Sequence, residues 1–342
     1  MRIDRFQLEL TAPLRTAGGT IDRREGFIVR VDHDGATGVG EATPLPGWTE
    51  SLDACRTALE RAERVASELD WGIALARLDA PAARHGLALA LADARARTAS
   101  IPLYRALGGD SRVEEVPVNG TIGDGTVDTC RDQARRLVDA GVPAIKLKVG
   151  ARTLAADRRR IAAVRDAIGS DVELRLDANG AWDWETAAAA TDAATEYAVS
   201  YIEQPLPASD LAGLEKLRGS GVGIAVDETL VEHDLSAVVE AGAADVIICK
   251  PMVLGGPDRT VALADDAQAA GLEAIVTTTV DAAVARTAAV HVAATLPGVA
   301  PCGLATGDRL TRDVCSDPAP ILDGAAAVPQ GPGLGLPEEP RP

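Results

Sequence analysis

The stretch Ala144-Ile145-Lys146-Leu147-Lys148-Val149-Gly150 decides how the chain is read. Ile145, Leu147 and Val149 alternate with Lys146 and Lys148, the period of a strand with one apolar face and one face carrying two ammonium groups. An unpaired charge in a dry interior is costly, so both cations must meet carboxylates, a ligand or water. The chain holds four lysines, Lys146, Lys148, Lys216 and Lys250, and every other basic residue except the histidines is arginine. Two of the four stand in this one short strand.

Working outward, short apolar runs alternate with longer helical stretches. The strand-like runs are Val116 to Thr121, Ala144 to Val149, Val172 to Leu176, Ser200 to Gln204, Ile224 to Asp227, Asp245 to Cys249, Glu273 to Thr277 and Val299 to Gly303. Helical patterns separate them, among them Val127 to Ala140, Leu154 to Ile168, Trp184 to Ala194 and Pro257 to Ala270. This rhythm predicts an α/β fold, a (β/α)8 TIM barrel over residues 106–310. Residues 1–105 read differently, as an N-terminal α+β cap. Ile3 to Leu10, Gly26 to Asp32 and Thr37 to Ala42 alternate like antiparallel strands, with Asp34-Gly35 as a hairpin turn, and helical stretches follow at Leu52 to Glu68 and Pro81 to Thr98. Two irregular, mobile loops are expected in the cap, Thr11 to Arg24 with its Gly18-Gly19 pair and Thr43 to Trp48. The Pro- and Gly-rich tail, 311–342, is expected to pack on the cap or the surface.

Composition narrows the function. The 342 residues are 46% hydrophobic, and a net charge of −17 argues against nucleic acid or an anionic membrane as partner. No apolar run is long enough to span a bilayer, and a cytoplasmic location is expected. The five cysteines (Cys55, Cys130, Cys249, Cys302, Cys315) lack the spacing of a zinc site or a disulfide framework and read as free thiols. His33, His85, His233 and His291 show no metal-ligand spacing.

In a barrel of this kind, chemistry gathers at the C-terminal ends of the strands. Here those ends read Asp177-Ala178-Asn179, Glu203-Gln204-Pro205, Asp227-Glu228 and Lys250-Pro251. Asp177, Glu203, Asp227 and Lys250 are spaced by 26, 24 and 23 residues, each one β/α unit. Three carboxylates would thus meet at the barrel mouth between Lys148 and Lys250. Their mutual repulsion is relieved by a hard divalent cation, and Mg2+ suits carboxylate oxygens, with Mn2+ an alternative. Each acidic residue taken singly also suits a helix N-cap, and Lys146 with Lys148 also suits an exposed edge.

The ordered set Lys146-x-Lys148, Asp177-x-Asn179, Glu203-Gln204-Pro205, Asp227-Glu228 and Lys250-Pro251 resembles the enolase superfamily, in its muconate-lactonizing subgroup with a KxK motif. The resemblance spans nearly the whole chain. It implies that Asp177, Glu203 and Asp227 bind Mg2+ and that Lys148 and Lys250 face opposite sides of the substrate carbon. Lys146 would position the substrate carboxylate, while Asn179 and Glu228 would support the ligands. The partner implied is a small carboxylate, and a homo-oligomer is compatible with the family. Within the subgroup, Gly303-Leu304-Ala305-Thr306 and Asn119 resemble o-succinylbenzoate synthases, with Thr277 and Thr278 placed to hold a second carboxylate. Asp281 is an unexpected negative charge there. The Asp-x-Asp pattern of dipeptide epimerases is lacking near the eighth strand. The resemblance therefore implies Mg-dependent dehydration of a succinyl-hydroxycyclohexadiene carboxylate in menaquinone synthesis. Dipeptide epimerase, N-acylamino acid racemase and muconate-type cycloisomerase are the alternatives.

Overall fold

The computed structural model describes residues 1–16 and 19–341, so Gly18 of the expected glycine pair lies outside the described residues. The chain opens with an antiparallel meander of β1 (Arg2–Thr16), β2 (Gly19–His33) and β3 (Ala36–Ala42). Asp34 and Gly35 both take positive φ (51° and 86°) in the hairpin between β2 and β3, as a tight turn of that hand requires. The described residues of the expected loop from Thr11 to Arg24, 11–16 and 19–24, are instead part of this ribbon. Leu14 pairs with Ile21 and Arg15 with Thr20, beyond a register shift between Glu9 and Leu14.

Helix Pro81–Thr98 lies directly on β3, and glycine makes the contact close. A Cβ on Gly40 would fall 2.0 Å from the Gly86 carbonyl oxygen, and one on Gly38 would fall 1.9 Å from that of Ala90. On the other side of the cap sheet, Phe6, Leu8, Ile28 and Val39 form one buried cluster with Leu103, Val284, Leu310 and Leu334. This apolar seam sets the cap against the barrel helix Ala283–Ala293 and the C-terminal tail.

The barrel strands are parallel in the order β5 (Asn119–Ile122), β6 (Ala144–Lys148), β7 (Glu173–Asp177), β8 (Val199–Glu203), β9 (Gly223–Val226), β10 (Val246–Cys249) and β11 (Glu273–Val276). These seven curl into a barrel, closed by the segment expected as the eighth strand. That segment contributes two bridging residues, Cys302 to Val118 and Gly303 to Thr277. The run expected as one first strand, Val116 to Thr121, is divided. Its start, β4 (Glu115–Pro117), joins a separate small sheet with β12 (Ile321–Leu322) and β13 (Ala325–Ala327) from the tail. The barrel begins at Val118, through its bridge to Cys302, and Asn119 opens the paired strand, opposite Ala144, rather than ending it.

Deep in the barrel, Arg175 is buried, forked onto Glu173 at 2.8 and 2.9 Å, bonded to the Pro301 carbonyl at 2.6 Å and stacked 5.0 Å from the Tyr201 ring centroid. A buried guanidinium is tolerable when its donors are met in this way. Arg175 therefore fills the barrel below the mouth.

Candidate active site

Because side chains alternate along β6, Lys146 and Lys148 leave the strand on the face opposite Ile145 and Leu147, which are fully buried. Lys146 Nζ donates to Glu203 Oε2 at 2.8 Å and Oε1 at 3.0 Å, and lies 3.3 Å from Asp177 Oδ2. Lys148 Nζ donates to Asp177 Oδ2 at 2.5 Å and to Asn179 Oδ1 at 2.8 Å. Lys250 Nζ donates to Asp227 Oδ2 at 2.5 Å. Asn179 Nδ2 continues the network to Glu228 Oε1 at 3.0 Å. The strand ends thus gather Lys146, Lys148, Asp177, Asn179, Glu203 and Glu228 into one bonded network, with the Asp227–Lys250 pair in electrostatic range of it.

Asp177, Glu203 and Asp227 cap none of the barrel helices. That work falls to Thr126, Asp183, Asp210 and Asp234, each of which accepts a first-turn amide hydrogen. Gln204 is a supporting residue that residue type alone did not single out. Its Oε1 accepts from the amides of Asp227 (3.0 Å) and Thr229 (3.1 Å), and its Nε2 donates to Leu206 O at 2.9 Å. A neutral side chain thereby fixes where Asp227 starts.

The electrostatics follow from burial and charge. Burial works against ionisation of Asp177, but Lys148 and Lys146 outweigh it and hold its carboxyl below the usual range. At Glu203, burial and the adjacent Asp177 win, pushing it up to about 7. Burial also raises Asp227, with Lys250 opposing. Lys146 is disfavoured as a cation by burial, yet Glu203 and Asp177 carry it above its ordinary value. The strand therefore keeps its inner ammonium charged by surrounding it with carboxylates.

Among the described residues no three carboxylate, histidine or cysteine side chains already converge as a closed metal cluster; each of the three carboxylates faces a lysine instead. The donor chemistry nevertheless fits a hard cation. Three buried carboxylates stand on adjacent strands, and Glu228 Oε2 is buried beside Asp227 with no hydrogen-bond partner among the described residues.

Residues 129–339 match the enolase C-terminal domain-like family, and residues 1–94 match the MenC N-terminal domain. The chain belongs to the enolase superfamily, in its muconate-lactonizing subgroup. It is 31% identical to a chloromuconate cycloisomerase from Pseudomonas sp. (strain P51), over 95% of this chain and 92% of that protein. It is 36% identical to an o-succinylbenzoate synthase from Thermobifida fusca, over 63% of this chain and 67% of that protein. Its fold matches the structure of a dipeptide epimerase from Enterococcus faecalis V583, complexed with Mg and the dipeptide L-Leu-L-Tyr. The TM-score is 0.88 at 26% identity, covering 98% of each chain.

In this superfamily member the remaining expected contacts make other bonds. Among the described residues no hydrogen bond joins Asn119, Thr277, Thr278 or Gly303 to the lysine–carboxylate cluster. Asn119 Nδ2 donates to Gly120 O at 3.3 Å, Thr277 Oγ1 donates to Gly303 O at 3.0 Å, and the Thr278 and Thr306 hydroxyls pair at 2.8 Å. Asp281 is buried, accepting the amide and hydroxyl of Thr279 at 3.1 and 2.5 Å, and it lies 3.9 Å from Arg24 of the cap. Its charge is thus answered across the cap–barrel seam, by an arginine far away in sequence. No helix among the described residues is long and apolar enough to cross a membrane.

Proposed function

We propose that the protein is an o-succinylbenzoate synthase, removing water from a succinyl-hydroxycyclohexadiene carboxylate to give an aromatic product. The observation that carries this reading is the match of residues 1–94 to the MenC N-terminal domain, because the barrel alone is shared by several reactions and the cap reaches its lysines through Trp48. The partial relative from Thermobifida fusca supports it. In the proposed reaction Lys148 Nζ takes the proton α to the substrate carboxylate. The hydroxyl group then departs, and Lys148 returns the proton to it, so that one water leaves and the ring becomes aromatic. Asn179 and Asp177 hold the Lys148 amine at the mouth, where 35% of its side chain is exposed to an incoming carbon acid. Lys250 presents its ammonium from the far side of the site, and Lys146 places positive charge beneath the substrate carboxylate. Asp177, Glu203 and Asp227 would hold Mg2+, which when bound offsets the negative charge that develops on that carboxylate.

The full-length similarity to a cycloisomerase and to a dipeptide epimerase supports a second reading, another reaction of the subgroup on the same site. Ultraviolet absorbance with the cyclohexadiene substrate and Mg2+ separates the two. Metal-dependent aromatisation should be stopped by EDTA, and Lys148→Ala should lower kcat by roughly 10²- to 10⁴-fold, the usual worth of a positioned base. A folded, Mg-loaded protein that leaves the substrate unchanged would retire the synthase. Exchange of the α-proton with solvent deuterium from both enantiomers of a dipeptide would then establish the epimerase.

A further inference from the structure

Trp48 reaches from the cap to the catalytic cluster. Its ring centroid lies 3.6 Å from Lys250 Nζ, well inside the range at which an indole face attracts an ammonium. On its other side the same ammonium donates to Asp227 at 2.5 Å. Lys250 is therefore held between an aromatic face and a carboxylate, and only 14% of its side chain is exposed. Lys148 is more than twice as exposed, and no aromatic ring lies over it among the described residues.

The segment presenting the indole, irregular as expected over Thr43 to Trp48, is held by several hydrogen bonds. Gly47 takes φ +85°, with nothing within 4 Å of where its Cβ would stand, and so turns the chain without strain. The amides of Trp48 and Thr49 both donate to Leu45 O at 3.0 Å, and Thr49 Oγ1 accepts from the Leu45 amide at 2.9 Å. Before the turn, buried Arg24 donates to the carbonyls of Thr43 (2.9 Å) and Pro44 (3.1 Å). After it, Glu50 accepts the amides of Ala82 and Ala83 at the start of helix Pro81–Thr98. The lysine's own segment joins the same seam, because Met252 is buried among cap side chains and its sulfur accepts from the Thr43 amide at 3.4 Å.

We infer that Trp48 is a positioning residue for Lys250: the cap fixes where that ammonium stands by laying an indole face against it, leaving Lys148 as the freer amine. This rests on the reading in which both lysines face the substrate. It deepens that reading by making the two lysines unequal, as suits a reaction in which one amine moves the proton and the other stays in place. The role needs a ring face and not merely bulk, so Phe should serve at position 48 where Leu, of similar size, should not.

Two measurements test it. With only four lysines in the chain, reductive methylation can be followed at each amine by peptide mass spectrometry without any substrate. Trp48→Leu should raise labelling of Lys250 relative to Lys216 by about threefold or more, and Trp48→Phe by less than about twofold. Equal labelling in the two variants would overturn the inference, since the ring would then be a simple cover. With the cyclohexadiene substrate, Trp48→Leu should lower kcat by about 3- to 30-fold with a smaller change in KM, and Trp48→Phe should restore most of it. A change confined to KM would make Trp48 a wall for the substrate and overturn the positioning role. If no variant and no wild-type protein turns the substrate over, the synthase reading fails while labelling still decides the role of Trp48.

Discussion

His291 shows at the scale of one residue how this chain handles an ionisable group in an apolar seam. It is fully buried and stacked on Tyr104 with centroids 6.0 Å apart, accepting the Tyr104 amide at Nδ1 (3.3 Å) and meeting Leu334 O at Nε2 (3.4 Å). Those partners suit a neutral imidazole with its proton on Nε2. Burial lowers its pKa from 6.5 to about 4, the Leu334 carbonyl opposing. As pH falls, the unfolded chain therefore takes up the proton first. The stability due to the neutral ring is present above 6.5 and lost as pH falls toward 4, and the full gap is worth about 3 kcal/mol. Urea unfolding at pH 7 and pH 4.5 should thus show a smaller acid loss in His291→Gln than in the wild type. Identical losses would mean that the histidine does not titrate in this window. No pattern in the sequence exposes this residue, because its partners Tyr104 and Leu334 come from segments that meet only in the folded chain. Lys146, Lys148, Asp177, Glu203, Asp227 and Lys250 were legible because barrel topology ties strand ends to one mouth. The pairing of Asp281 with Arg24 was not, since it crosses from barrel to cap.

At the scale of elements, the close approach of β3 to helix Pro81–Thr98 depends on missing side chains. Gly40→Ala would put a methyl group 2.0 Å from the backbone oxygen of Gly86, an atom that cannot rotate away. The helix or strand must shift, and a cost on the order of 2–4 kcal/mol is expected. Gly108→Ala offers a contrast, with positive φ but nothing within 4 Å of the added carbon. It should cost about 1–2 kcal/mol, from backbone strain alone. Urea midpoints of the two variants check the order, and a Gly40→Ala protein as stable as Gly108→Ala would refute the packing argument. Helices Leu52–Glu68, Pro81–Thr98 and Leu154–Ile168 were legible to their ends from their helical pattern; in the structure Ser51 caps the first and Pro81 opens the second. The ribbon over 11–16 and 19–24 was not legible, because mostly exposed strands need no apolar alternation. The division at Val118 was also hidden. Period two continues through Val116 and Val118 whichever strand pairs with them, and here the partner changes from β13 to the barrel. The last barrel strand is short for a chemical reason, since Pro301 offers no amide and only Cys302 and Gly303 complete the ladder.

At the scale of the whole molecule, the surface carries more negative charge than its arginines balance, with a net charge of −17. Many of those arginines stand in exposed pairs, such as Arg2 with Asp4, Arg56 with Glu60 and Arg112 with Glu114. Such pairs contribute little each and weaken in salt. The uncompensated carboxylates repel one another through solvent, and this repulsion is also screened, over about 10 Å at 0.1 M and about 3 Å at 1 M. The two effects oppose each other, and the excess of acidic groups decides the sign in favour of salt. Two origins compete for this composition: adaptation to a concentrated cytoplasm, or a GC-rich genome that favours arginine codons. The screening of the excess acidic groups acts on stability under either origin, because it depends on the net charge alone. Thermal unfolding at a fixed scan rate in 0.05 M and 1 M KCl should therefore show the midpoint rising by at least about 1.5 °C, the shift expected from roughly 1 kcal/mol in a chain of 342 residues. Equal midpoints would refute the repulsion argument, and the acidic surface would then bear on solubility alone.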